Sequence, residues 1–79
     1  MKNNKEKLLQ DLFAAIEERK VAEVEEVIAR RDLDKVIAKG NKAEILEMVA
    51  IRIDKATNLA IAEMRADEAY KAYIASIKA

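Results

Sequence analysis

The sequence contains no His and no Cys, so its reactive side chains reduce to carboxylates, lysines and four hydroxyls, Thr57, Ser76, Tyr70 and Tyr73. Hydrolytic or transfer chemistry asks for a nucleophile, a tuned base and an oxyanion or metal site. A carboxylate pair is the one arrangement available. Glu17/Glu18, Glu25/Glu26 and Asp67/Glu68 are adjacent in sequence, and adjacent residues point to different faces of a helix. Glu63 and Asp67 do share a face, but Arg65 and Lys71 stand beside them, as expected of solvated surface charge. Glycine-rich phosphate loops and nucleophile elbows are absent, and the carboxylates do not converge from several segments as a hard metal requires. The expectation is a protein without catalytic activity, cofactor or metal.

Two polar groupings could serve binding instead. Arg30, Arg31, Lys35, Lys39 and Lys42 carry five cations, and Asp32 and Asp34 lie among them. No aromatic accompanies this patch for base stacking. The stretch Glu17–Glu26 is as acidic as the patch is basic, so pairing between the two segments is expected rather than nucleic-acid binding. A phosphate at the helix start beyond Asn41 is a minor alternative. The second grouping is Asp54, Asn58 and Arg65, a polar ridge within an otherwise apolar helix. It reads as a surface ridge, a buried amide fixing helix register, or a small polar ligand site inside an oligomer.

The elements that must position these residues are helical. Fifteen of the 79 residues are alanine, Glu, Lys, Arg and Leu are abundant, Pro is absent and Gly40 is the single glycine. All-α follows, as one domain over residues 1–79. The strongest punctuation is Lys39-Gly40-Asn41-Lys42-Ala43-Glu44. Gly40 can end one helix in the left-handed conformation, Asn41 can cap the next, and Glu44 completes a capping-box pattern. Asn3 and Glu6 repeat the capping idea at the N-terminus.

Beyond Asn41 no residue breaks the helix, which predicts one long C-terminal helix over about 42–77. At ~1.5 Å per residue it would span roughly 54 Å, against about 30 Å for a compact chain of this size. It must break near Thr57-Asn58 or be covered by other helices. The first half is less regular. Apolar stripes at Leu8–Ile16, Val21–Ile28 and Leu33–Ile37 are interrupted by Glu18-Arg19-Lys20 and Arg30-Arg31-Asp32. This predicts short helices at about 4–18, 21–30 and 33–39 packed as a bundle on the long one. The alternative is a single helix over 4–39 and a two-helix α-hairpin.

The long helix is apolar on more faces than its own chain can cover. Leu46, Val49, Ile53, Ala56 and Ala60 form one stripe; Leu59, Ala62, Ala66, Tyr70, Tyr73 and Ile77 form a second, rotated one. A helix apolar on several sides is buried on several sides. Core and interface are therefore expected among these eleven residues, with copies of the same chain as partners. The formal charge of zero gives no field toward nucleic acid or an anionic membrane. The longest apolar runs, residues 48–51 and 59–62, fall far short of the roughly 18–20 residues of a membrane span. A soluble protein, cytoplasmic where produced in a cell, is the default expectation.

The absence of Cys, His, Pro and Trp, the helices rich in Ala, Glu, Lys and Ile, the single Gly40-Asn41 turn and the ending Glu68-Ala69-Tyr70-Lys71-Ala72-Tyr73 resemble computationally designed helical bundles and homo-oligomers. No natural family is identified. The resemblance implies a structural, self-assembling helical scaffold. Asn3-Asn4, Thr57-Asn58 and the irregular first half depart from idealised design practice. They keep open a small natural helical adaptor or inhibitor, phage or bacterial, that binds a partner protein. A sponge for a small anionic ligand at Asp54/Asn58/Arg65 or the Arg30–Lys42 patch is the third reading.

Overall fold

A computed structural model describes residues 4–78. The chain forms two helices, α1 (Asn4–Lys39) and α2 (Lys42–Lys78), packed side by side as an antiparallel hairpin. No strand occurs among the described residues. The turn follows from its residues. Gly40 adopts φ +76°, a conformation that costs an L side chain energy, and its N–H donates to the carbonyls of Val36 (3.2 Å) and Ile37 (3.0 Å). Asn41 Oδ1 accepts from the N–H groups of Ala43 (3.0 Å) and Glu44 (3.2 Å), satisfying two donors that a helix start otherwise leaves orphaned. The cap expected at Asn3 lies outside the described residues.

The bundle of short helices is not formed; residues 4–18, 21–30 and 33–39 belong to one continuous α1. The charged turns 18–20 and 30–32 interrupt an apolar stripe, but Glu, Arg and Lys are good helix formers and nothing there breaks the backbone. The long helix likewise does not break at 57–58. Thr57 Oγ1 donates to the carbonyl of Ile53 at 2.9 Å, which settles its hydroxyl within the helix's own backbone. Nor does α2 overhang, because α1, 36 residues against 37, runs beside it. The result is a rod of 59 × 16 × 13 Å with a radius of gyration of 17.7 Å, against about 12 Å for a compact chain of this length.

The seam between the helices repeats every seven residues. On α1 every position at alternating spacings of four and three from Leu8 to Val36 is buried or half-buried: Leu8, Leu12, Ala15, Arg19, Ala22, Glu26, Ala29, Leu33 and Val36. On α2 the matching positions run from Ile45 through Leu59, Ala62, Ala66, Ala69 and Tyr73 to Ser76, with only Arg52 exposed. A strict seven-residue repeat over this length requires the helices to wrap around each other with a left-handed twist. The alanines permit a close approach of the axes, toward the short end of the usual ~8–10 Å. They also bury little apolar surface, so the seam is narrow.

Candidate functional site: the apolar face of the hairpin

A two-helix layer has two broad sides, and here they differ. One is lined by Glu17, Glu18, Val21 and Glu25 of α1 and by Asn58, Ile61 and Arg65 of α2, over a floor of Ala22 and Ala62. Ion pairs close over this groove. Lys55 Nζ donates to Glu25 Oε2 at 2.9 Å, and Arg65 Nη1 lies 3.7 Å from Glu18 Oε2. The contact with Glu25 holds the Lys55 ammonium above its ordinary pKa, first through the hydrogen bond and then through the charge.

The ridge expected at Asp54, Asn58 and Arg65 lies on this side. All three residues are exposed in the single hairpin. Three glutamates line the groove, and Arg65 is already turned toward one of them. An anion meets repulsion there. The basic grouping of Arg30 to Lys42 is also arranged differently from the expectation. Glu17–Glu26 and Arg30–Lys39 lie on the same helix, so those segments cannot fold against each other as expected. Arg30 reaches back, its guanidinium 2.6 Å from Glu26 Oε2, one turn away, which raises its own pKa further. Among the described residues no group of three or more acidic side chains is placed to hold a metal ion. No helix of the described residues is long and apolar enough to cross a membrane.

The other side carries most of the large aliphatic and aromatic residues, although Val21 and Ile61 are exposed on the first. Along α1 the positions next to the seam are Leu9, Phe13, Ile16, Lys20, Glu23, Val27, Arg30, Asp34 and Ile37, again spaced four and three. Along α2 they are Leu46, Val49, Ile53, Ala56, Ala60, Glu63, Asp67, Tyr70, Ile74 and Ile77. The two rows share one side of the hairpin, as the groove formed by Ile16, Arg19, Glu63, Asp67 and Tyr70 shows. Phe13, Val27, Ile37, Leu46, Ile53, Tyr70 and Ile77 are exposed there. Together the rows form an apolar cluster near the termini, a charged belt (Lys20, Glu23, Glu63, Asp67) and, toward the turn, a second cluster in which Arg30 and Asp34 stand among Val27, Ile37, Leu46, Val49 and Ile53.

The eleven residues expected at core or interface therefore separate. Ala62 and Ala66 are buried in the seam, with Leu59 and Tyr73 half-buried beside them. Leu46, Val49, Ile53, Ala56, Ala60, Tyr70 and Ile77 stand on the apolar side, all exposed except the half-buried Val49. Sequence reasoning missed that Arg19, Glu26 and Lys55 occupy seam positions; the signal was the unbroken alternation of four and three around them. Comparison of the chain with protein-family models, with curated proteins and with solved structures found no match.

Proposed function

We propose that this protein is a structural, self-assembling helical scaffold without catalytic activity, whose partner is a further copy of itself. One observation carries the reading: from Ala15 to Ala29 the α1 side of the seam holds only alanines, Arg19 and Glu26, while many large apolar side chains stand exposed outside it. Leu46 is 71% exposed and Ile53 62%, whereas the buried core residues are Leu12, Ala15, Ala29, Leu33, Ala62 and Ala66. A compact monomer of 8.9 kDa exposes about 4,800 Å². The hairpin exposes 6172 Å². Contiguous apolar patches of this kind mark interaction surfaces. The resemblance to designed homo-oligomers supports the same reading.

Size-exclusion chromatography with multi-angle light scattering tests it. Self-assembly predicts a mass of at least two chains at micromolar concentration, and Leu46→Glu with Ile53→Glu shifts the protein toward single chains and lowers its melting temperature. A stable, fully helical particle of 8.9 kDa under the same conditions overturns the reading and favours an adaptor that offers this face to another protein.

A further inference from the structure

Resting on that self-association, we infer the arrangement of the pair: two hairpins stack through their apolar sides about a two-fold axis parallel to the helices, with both turns at the same end. Each α1 then lies over α2 of the other chain, and the result is a four-helix bundle.

Three observations lead there. The first is area. A compact particle of twice the mass exposes about 8,000 Å², so stacking two hairpins removes up to about 4,000 Å² in total, within the ~2,000–5,000 Å² of obligate homodimers. The second is the choice of side. The opposite face carries Glu18, Glu25 and Arg65 beside the seam, already engaged in ion pairs across it with each other or with Lys55. On the side bearing Phe13, Leu46, Ile53 and Tyr70, the ion pairs Arg19–Glu23, Arg30–Glu26 and Lys71–Asp67 each stay within one helix.

The third observation decides orientation. The interface row of α2 holds two acids, Glu63 and Asp67, and no base, whereas the row of α1 is balanced, with Lys20 and Arg30 against Glu23 and Asp34. With turns at opposite ends, α2 would stack on α2 and four carboxylates would share one seam whose rows hold no cation, Asp67 alone being paired, with the exposed Lys71 of its own helix at 3.1 Å. With turns at the same end, the axis allows no sliding, because each level of one chain faces the same level of the other. The intrachain contact of Glu18 with Arg65 defines those levels, and by it Lys20 stands opposite Glu63 of the second copy. Phe13 then meets Tyr70, and Ile37 meets Leu46, while Asp67 and Arg30, level with Ile16 and Ile53 of the other chain, keep Lys71 and Glu26 of their own helices as partners. Lys20 is exposed and bound only loosely to its own Glu17, at 3.6 Å, so it is free to exchange partners.

A spin label on Lys42→Cys, unique in a chain without cysteine, reads the arrangement by pulsed dipolar spectroscopy, with mass measured on the same sample. The inferred pair places the labels within about 30 Å, since only the width of a bundle separates them. A dimer with labels about 50 Å apart, roughly the length of a helix, overturns the orientation and leaves self-association standing. A monomer overturns self-association itself, and a mass above two chains overturns the pair. Charge reversal provides an independent check. Lys20→Glu should weaken the dimer about tenfold through two symmetric contacts, and adding Glu63→Lys should restore it. Failure of that restoration in a folded dimer also overturns the orientation.

Discussion

Glu25 and Lys55 join the two helices by a hydrogen-bonded ion pair at 2.9 Å, formed from residues thirty positions apart. Together with Glu18 and Arg65 at 3.7 Å it fixes which level of α1 lies beside which level of α2. Because Lys55 is a seam position and Glu25 flanks the seam, the pair shows that the register places charge against charge midway along the rod. Exposed pairs contribute little stability. Their value here is specificity, since a slip by one heptad would separate both pairs.

Reversing one partner should lower the melting temperature by a few degrees, and exchanging both, Glu25→Lys with Lys55→Glu, should recover most of it. The effect also has a pH signature. The folded pKa of Lys55 lies above its ordinary 10.5, so its contribution is complete below that value and disappears as pH rises through the raised one. Thermal melts of wild type and Lys55→Met should therefore differ at pH 7 and converge in strong alkali. A difference that persists unchanged at alkaline pH would count against the ion pair.

The turn and the helical class were legible in the sequence because each rests on local chemistry. Gly40 alone tolerates the left-handed backbone, and Asn41 supplies the capping oxygen. Helix segmentation was not legible, because the large apolar side chains in the middle of α1 are Val21, Val24, Val27 and Ile28, all exposed and out of phase with the seam. The seam is written in Ala15, Ala22 and Ala29, whose value is smallness rather than hydrophobicity, and it passes through Arg19 and Glu26 without breaking step. Of the apolar side, the α2 row from Leu46 to Ala60 was legible. Its meaning needed α1 alongside, to show that this row is the one left uncovered.

That smallness gives a second prediction. Ala66 is 4% exposed in the alanine-lined part of the seam. Ala66→Leu forces the axes apart and should destabilise by roughly 1–3 kcal/mol in denaturant melts. Leu12→Ala, at a buried seam position near the termini, should cost about 2–4 kcal/mol by removing contacts without new strain. If Ala66→Leu proved as stable as wild type, the helices would not approach closely at that level.

The charged seam positions give the third. Glu26 is buried and anchored to Arg30, and Arg19 Nε is shielded from solvent without a hydrogen-bond partner, 3.7 Å from Glu23. Burying polar atoms in this way costs stability that an aliphatic side chain would not. Arg19→Leu with Glu26→Leu should therefore raise the unfolding free energy, by about 1 kcal/mol or more for each side chain buried. The same double substitution makes the seam uniformly apolar, and nothing then penalises slipped or exchanged helix pairings. Hence the more stable variant should also be the less uniform one, with broadened methyl resonances and a spread of masses where wild type gives one. A variant that gained stability and kept a single species would show that these two charges do not specify the pairing, and that Glu25 with Lys55 and Glu18 with Arg65 suffice to hold it.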